Sequence, residues 1–337
     1  MTGPSPAAID GAALRDPAQF YAEVVAGCRP VIIRNLVSSW PITKAATHSV
    51  QAFGAYLAQF AAMGEVEAFI GAPQINGTYY YTDDLSGFNF DRRTMRLRDA
   101  FAAILAPVAA GGDTIYIGSI PADEYLTGFA SANPMPLLAP TVAPRLWLGH
   151  ASTVSAHYDT LDNLACVVAG SRRFTLFPPD AIGNLYVGPI DHTMAGQPVS
   201  LAASSPDADA YPRFQDAREQ MLVADLAAGD ALYLPKLWWH KVEATAPVNG
   251  LINYWWDAFA AGPDSPYTAL LLAMITLSER PLAERDAWHA FFDHYVFRQN
   301  GHPLAHLPQD KHGLLGPLRH NYGAIRARVM NLLRNLH

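Results

Sequence analysis

The stretch from His157 to Pro179 reads HYDTLDNLACVVAGSRRFTLFPP and indicates how the middle of this chain folds. Its apolar runs, Asn163–Val168 and Arg173–Phe177, predict two short strands. Similar runs, broken by glycine, proline and aspartate, occur at Thr114–Ser119, Arg145–Gly149, Ala231–Leu234 and Leu251–Trp255. So many short strands within residues 114–260 predict a sandwich or a barrel.

The segment before this region mixes helical and strand patterns. The β-branched run Arg29–Leu36 predicts a strand, and helices are expected at Asp16–Ala26, Val50–Ala62 and Leu97–Leu105. Between the last two helices, Gly77–Phe90 is rich in tyrosine, aspartate, asparagine and glycine. We expect a hairpin or loop with exposed aromatic side chains there.

Beyond the predicted strands the pattern changes again. Ala203–Arg213 is rich in serine, proline and aspartate and predicts a long loop. After Pro266 the apolar residues recur at helical spacing. We therefore expect three parts: N-terminal helices and strands that pack on the barrel (1–113), the β domain (114–260) and a C-terminal helical segment (261–337).

Composition limits the possible functions. The chain has 337 residues, of which 50% are hydrophobic and 16% charged, and its formal charge is −7. This favours a globular chain rather than a disordered one and argues against nucleic-acid binding through a broadly basic surface. Two distant cysteines, Cys28 and Cys166, do not suggest a disulfide scaffold. The longest apolar run, Tyr267–Leu277, is too short to span a bilayer, and Met1–Leu14 does not resemble a signal peptide. We expect a cytoplasmic protein.

The residues His157, Asp159 and His240 form the sharpest chemical pattern. Alternate residues of a strand point to one face, so His157 and Asp159 place an imidazole and a carboxylate together. His240 follows a Gly-Asp turn, a predicted strand and Pro235, and is the best candidate for a third ligand. Two histidines and one carboxylate are the facial triad of non-haem Fe(II) oxygenases, whereas structural zinc sites usually use thiolates.

Neither half of this pattern identifies a metal site alone. An isolated H-x-D occurs often by chance, and the chain has 12 histidines. The ordered combination is more specific: H-x-D, then G-x-R-R-F-x-L-F-P-P, then G-D-x-L-Y-L-P-x-x-W-W-H, then N-x-W-W.

With these motifs the chain resembles the JmjC-type, cupin-like hydroxylases, particularly the branch containing the asparaginyl hydroxylase that inhibits hypoxia-inducible factor. The similarity is carried by His157–Pro179, Gly229–Trp256 and, at the N-terminal strand, Arg29–Trp40. It implies a mainly β fold with helices, a double-stranded β-helix (jelly roll) that holds Fe(II), with 2-oxoglutarate as cosubstrate and O2 as oxidant.

The resemblance also implies roles for individual residues. The three candidate ligands bind iron, Asn163 and Asn253 lie beside the cosubstrate, and Tyr116 donates a hydrogen bond to its distal carboxylate. Arg172 occupies the position of the family's usual lysine, and a guanidinium can bind a carboxylate through two parallel hydrogen bonds. Val154 is a second departure, because a hydroxyl residue is common at that position in this branch.

The expected reaction is hydroxylation of a C–H bond, coupled to decarboxylation of 2-oxoglutarate to succinate and CO2. A protein or peptide side chain is the first choice of substrate, and a small molecule or a modified tRNA base is the alternative. A non-redox metal-binding cupin and a scaffold or sensor without turnover are the other classes. The residues Tyr79, Tyr80, Tyr81, Asp83 and Asp84 line either a peptide groove or a surface hairpin.

The end of the chain carries a heptad-type apolar stripe. Its residues are Leu318, Tyr322, Ile325, Val329, Leu332 and Leu336. The opposite face carries arginines and no acid. Since an exposed seam of this length is an aggregation liability in a monomer, we expect a homodimer formed through the C-terminal helices. The alternative is that the last helix folds back on its own barrel.

Overall fold

A computed structural model of the chain comprises two units, Met1–Ala258 and Phe259–His337, which are described separately below. The residues that the structure describes are 3–60, 64–194, 196–205, 209–260 and 262–334.

Strands dominate the first unit, and helices make up the second. The strands are β1 (Ala7–Asp10), β2 (Val31–Arg34), β3 (Glu65–Gly71), β4 (Thr78–Tyr79), β5 (Asp91–Arg96), β6 (Thr114–Pro121), β7 (Pro144–Gly149), β8 (Ser152–His157), β9 (Asp162–Ala169), β10 (Ser171–Phe177), β11 (Leu222–Ala227), β12 (Ala231–Leu234), β13 (Trp239–Ala244) and β14 (Asn249–Trp256). The helices are α1 (Pro17–Phe20), α2 (Pro41–His48), α3 (Val50–Ala58), α4 (Leu97–Leu105), α5 (Ala122–Tyr125), α6 (Phe129–Ala132), α7 (Phe214–Glu219), α8 (Pro266–Leu277), α9 (Leu282–Phe292) and α10 (Leu318–Arg334). Helices α1 and α9 each continue into a π-helical turn, Tyr21–Val25 and Asp293–Phe297.

Two sheets build the first unit. The larger has the order β1-β2-β12-β9-β14-β7-β6-β3-β5, and the smaller has the order β11-β10-β13-β8-β4. Every residue of β9 is buried, as expected for a central strand with apolar neighbours on both faces. Buried apolar side chains from both sheets form one cluster, so the sheets pack face to face: Ile32, Ala165, Val167, Phe174, Leu176, Ala224, Leu226, Leu232, Leu234 and Leu251. The prediction of a mainly β, jelly-roll fold with added helices is confirmed.

Helices α3 and α4 belong to the apolar core on the other side of the large sheet. Their residues Phe53, Leu57 and Ile104 are buried there. A side chain at Gly250 would place its Cβ 3.0 Å from the ring of Phe53 and 3.2 Å from Val168. Glycine at this position of β14 therefore lets α3 approach the sheet closely.

The N-terminal elements share the sheets of the central region. Strand β2 pairs with β12, and β3 pairs with β6. The predicted division at residues 113 and 260 stays a prediction. The helix expected at Val50–Ala62 ends at Ala58, and its residues 61 and 62 lie outside the described residues. In the predicted loop 203–213, residues 206–208 also lie outside them.

The tyrosine-rich segment 77–90 is hairpin-like, and its aromatic side chains are not exposed. Tyr79, Tyr81 and Phe90 are buried, so the expectation of exposed aromatic side chains was wrong. Their rings pack in one cluster with Tyr116 and Met194, which are remote in sequence. Local composition predicts a turn, but it carries no information about such distant partners.

The second unit exposes most of its apolar side chains. Among those more than a third exposed are Leu270, Ile275, Leu282, Trp288, Phe291, Phe297, Leu318, Val329 and Leu332. In helix α10, Tyr322 donates a hydrogen bond to Asp264, and the Arg326 Nε lies 3.0 Å from the same carboxylate. Leu336, the last residue of the predicted stripe, lies outside the described residues. None of the described helices combines the length and the hydropathy that crossing a bilayer requires.

Candidate active site

Two neighbouring strands of the small sheet bring three candidate metal ligands together. His157 ends β8 and His240 lies in β13, where the two residues are direct cross-strand partners. Their ring centroids are 4.3 Å apart. Asp159 follows β8 by two residues, and its Oδ2 lies 3.7 Å from the His240 Nε2. The ligand atoms of all three side chains lie within 4.8 Å of one another.

Backbone carbonyls fix both imidazoles. The Nδ1 of His157 lies 2.9 Å from the Ser155 oxygen, and the Nδ1 of His240 lies 3.0 Å from the Trp238 oxygen. If each Nδ1 carries the proton and donates it, each Nε2 keeps a free lone pair for a metal. Burial, and then the neighbouring His157, lower the pKa of His240 to about 4. His240 is therefore neutral at neutral pH, as metal binding requires.

The donor set fits a divalent cation. Two imidazole nitrogens and one carboxylate match the facial arrangement typical of Fe(II) oxygenases, and no cysteine is among them. The Asp159 Oδ2 is buried and has no hydrogen-bond partner among the described residues. A buried carboxylate oxygen without a partner is costly unless a cation compensates it.

The four residues expected around the cosubstrate line the same cavity as the triad. This cavity measures about 130 Å³, and Tyr116, Asn163, Arg172 and Asn253 all contribute to its wall. Arg172 is 5% exposed, and its Nε has no hydrogen-bond partner among the described residues. Burial lowers the pKa of its guanidinium and raises that of the Tyr116 hydroxyl. An anion is the ligand that would pair with this arginine.

Strand alternation separates Arg172 from its neighbour. Arg173 points outward, where its Nε donates to Asp225 at 2.7 Å. This exposed ion pair removes Arg173 as an alternative residue for the cavity.

A hydrogen-bond chain orients the two asparagines. The Trp147 Nε1 donates to the Asn253 side-chain oxygen at 2.6 Å, and the Asn253 amide donates to the Asn163 side-chain oxygen at 3.2 Å. Asn163 belongs to β9, and the other two residues belong to β7 and β14. This series of hydrogen bonds thus spans three strands and pairs polar atoms that would otherwise face the cavity without a partner.

The sequence interpretation missed several residues of the cavity wall. Met194, Gln197 and Val199 come from the loop after β10, and the Gln197 Oε1 is buried without a partner among the described residues. Phe69 and Phe90 also line the cavity and belong to the same apolar cluster as Met194 and Val199. The loop has no motif, and spatial contacts such as the bridge between Val199 and His157 place it at the cavity.

Most of the chain matches one protein family, and shorter parts are similar to individual proteins. A family profile described as "Cupin-like domain" matches residues 17–262. "Lysine-specific demethylase JMJ31" of Arabidopsis thaliana is 34% identical over 113 residues, which cover 33% of this chain and 20% of the relative. "Jumonji C domain-containing protein 5" of Drosophila melanogaster is 38% identical over 114 residues, which cover 34% and 27%.

A longer match has lower identity. "Bifunctional peptidase and (3S)-lysyl hydroxylase JMJD7" of Homo sapiens is 28% identical over 271 residues, which cover 72% of this chain and 81% of the relative. The first two relatives match over only about a fifth to a quarter of their length. These names support the JmjC-type, cupin-like level of the predicted resemblance, while the narrower resemblance to an asparaginyl hydroxylase stays a prediction.

Proposed function

This chain belongs to the cupin-like domain family, and from that premise we propose that it is an Fe(II)- and 2-oxoglutarate-dependent dioxygenase that hydroxylates a C–H bond. One observation carries the proposal. The three metal donors and the buried Arg172 line one cavity, so a candidate cation site and a candidate anion site share it. A cosubstrate with a metal-chelating end and a distal carboxylate needs that combination.

The protein residues have distinct tasks in this proposal. His157, Asp159 and His240 would hold the metal. Arg172 binds the distal carboxylate of 2-oxoglutarate, helped by Tyr116. With the metal bound, O2 is activated while 2-oxoglutarate is oxidised to succinate and CO2, and one oxygen atom goes to the substrate.

The apolar wall of the cavity excludes water from this chemistry. Phe69, Tyr79, Phe90, Trp147 and Val154 surround the polar residues. Few solvent molecules then compete for the metal or for Arg172, and the charged contacts gain strength in the drier surroundings.

The substrate that we propose is a side chain of a protein or peptide. The relatives include one named a lysine demethylase and one named a lysyl hydroxylase. Among the described residues that line the cavity, Asp159 is the only acid, and the metal uses it. A cationic side chain would therefore find no free carboxylate, which favours an uncharged side chain such as the one that the asparaginyl branch hydroxylates. The Gln197 Oε1, which has no hydrogen-bond partner among the described residues, is available to accept a hydrogen bond from it.

We also propose a homodimer formed through the second unit. Its helices expose Ile275, Phe291, Val329 and Leu332, and isolated helices with such faces are stabilised by packing against another surface. A second copy supplies an equal apolar face about a two-fold axis.

Both cysteines are unpaired, which agrees with a reducing, cytoplasmic location. That location is part of the proposal.

A turnover screen tests the proposed function. The protein is incubated with Fe(II), ascorbate, 2-oxoglutarate and O2, and succinate is measured with and without a peptide library, whose members are then searched for a mass gain of one oxygen. We expect peptide-stimulated succinate formation that requires both Fe(II) and 2-oxoglutarate. Metal binding without any succinate would favour a non-redox cupin. Succinate formation stimulated only by small molecules or tRNA would overturn the choice of substrate.

A further inference from the structure

The turn that precedes His240 is hydrogen-bonded to the segment that carries Asp159, another candidate ligand. It runs from Pro235 to Trp238, between β12 and β13. Leu237 adopts a left-handed backbone conformation with φ of 69°, and its N–H donates to the Asp159 carbonyl at 2.8 Å. A leucine holds this conformation only where its surroundings determine the backbone.

A charged cluster supplies those surroundings. Lys236 lies within the turn, and its Nζ is 3.4 Å from the Asp162 carboxylate and donates a hydrogen bond to Asp257. Asp162 is fully buried and also accepts hydrogen bonds from the Tyr233 hydroxyl and the Ala258 N–H, both at 3.0 Å. Burial by itself would lower the pKa of Lys236, but the hydrogen bond to Asp257 and the charge of Asp162 raise it overall. The lysine is therefore a cation between two carboxylates.

The three segments that meet at Lys236 are those that carry the site. Asp162 stands between the ligand Asp159 and Asn163, Lys236 stands four residues before His240, and Asp257 ends the segment that contains Asn253. The ion cluster itself lies outside the residues that line the cavity. It connects the backbone segments on which the spacing of the ligand atoms depends.

We infer that Lys236 is a positioning residue, which sets the distance between Asp159 and His240 by holding the Pro235–Trp238 turn against Asp162 and Asp257. A buried ion cluster contributes little to stability, because replacing one with well-packed apolar residues of similar volume is often neutral or stabilising. The advantage of the charged group is that its contacts are directional. Because the ammonium must face both carboxylates, it fixes the position of the turn relative to them. This inference rests on the proposed function only in taking the triad as a metal site.

The test compares metal affinity in variants of the full chain. Co²⁺ is titrated into the apoprotein, and visible absorption reports both affinity and coordination. We expect Lys236→Met to bind Co²⁺ about 10- to 100-fold more weakly, the range typical when residues that orient metal ligands are replaced, with an altered absorption spectrum. Lys236→Arg should restore most of the affinity, because it keeps the charge. Lys44→Met, the same substitution at an exposed position of α2, is the matched control and should leave affinity unchanged.

Circular dichroism at the titration temperature separates positioning from folding. A folded Lys236→Met protein that binds Co²⁺ within about twofold of the wild type, less than about 0.5 kcal/mol, would overturn the inference. If Lys236→Met does not fold, Asp257→Asn decides, because it removes only the outer, partly exposed carboxylate. A folded Asp257→Asn protein with weaker Co²⁺ binding supports the inference, and one with unchanged binding overturns it. Wild-type Co²⁺ binding without succinate formation would count against the proposed function alone.

Discussion

Replacing Arg172 tests the cosubstrate pocket most directly. Its side chain is 5% exposed, and its Nε has no hydrogen-bond partner among the described residues. Two opposite unit charges about 4 Å apart interact with about 4 kcal/mol at an effective dielectric constant near 20. Breaking a buried, hydrogen-bonded charge pair at an interface costs about 2–5 kcal/mol. We therefore expect Arg172→Ala to weaken 2-oxoglutarate binding by a factor of about 30 to several thousand, at 1.4 kcal/mol for each tenfold change.

Calorimetric titration of 2-oxoglutarate into Co²⁺-loaded protein measures this loss without turnover. Arg173→Ala is the matched control, because Arg173 is the next residue of β10 but pairs with Asp225 on the exposed face. We expect the control to bind 2-oxoglutarate like the wild type. The 2-oxoglutarate affinity of Arg172→Lys should lie between that of Arg172→Ala and that of the wild type. A lysine keeps the charge but loses the planar contact through two parallel hydrogen bonds.

Two results would refute this reasoning. Binding by Arg172→Ala within about twofold of the wild type, under about 0.5 kcal/mol, would mean that the carboxylate partner lies elsewhere. A large loss in Arg173→Ala would mean that the distinction between the inner and outer arginine is wrong. Equal Co²⁺ affinity in all variants is required before either result is interpreted.

The other predictions concern the metal, the thiols and the assembly. His240→Ala should abolish or sharply weaken Fe(II) binding with little change in unfolding temperature, because the site is not a structural zinc centre; full iron occupancy in a metal analysis of this variant would exclude the assigned triad. The exposed Cys28 should react with a thiol reagent in the native protein, whereas Cys166 should react only after unfolding, because burial raises the pKa of the Cys166 thiol and blocks access to it. Equal labelling rates for the two cysteines would contradict the buried position of Cys166. The wild type should sediment as a dimer at micromolar concentration, and Ile325→Glu combined with Val329→Glu should yield monomers or a poorly soluble protein; a monomeric wild type would remove the proposed dimer.

The parts of the site that follow strand geometry were predictable from the sequence. Alternation along a strand predicts that residues two apart point the same way; β8 ends at His157, yet Asp159, two residues beyond it, still brings its carboxylate to the cavity. The same alternation places Arg172 inside and Arg173 outside, although composition alone makes both look like solvated surface. His240 required the whole Gly-Asp, strand, proline and tryptophan pattern, because a single histidine carries little information.

Other parts depend on contacts between residues that are remote in sequence. Trp147 and Asn253 are 106 positions apart, and neither residue alone indicates that the tryptophan orients the asparagine. The burial of Tyr79 likewise depends on packing with Phe69 and Phe90. Register between strands determines these contacts, and one sequence specifies register only through the packing of the complete sheets.

Several buried polar atoms without a partner among the described residues belong to side chains that line the candidate cavity. Most buried polar groups in native proteins are hydrogen-bonded, and leaving one unpaired costs about 1–3 kcal/mol. Among the described residues, four such atoms belong to side chains that line the candidate cavity: the Asp159 Oδ2, the Arg172 Nε, the Gln197 Oε1 and the Trp255 Nε1. The Asp159 oxygen can bind a metal, and the Arg172 nitrogen belongs to a cation. The Gln197 oxygen accepts a hydrogen bond and the Trp255 nitrogen donates one, so no single kind of ligand can pair with all four atoms. A metal-only cupin would satisfy Asp159 and leave Arg172 buried without an anion. A dioxygenase that binds a dicarboxylate and a polar, uncharged side chain at the same metal accounts for the first three atoms together, and this is the physical reason to prefer it.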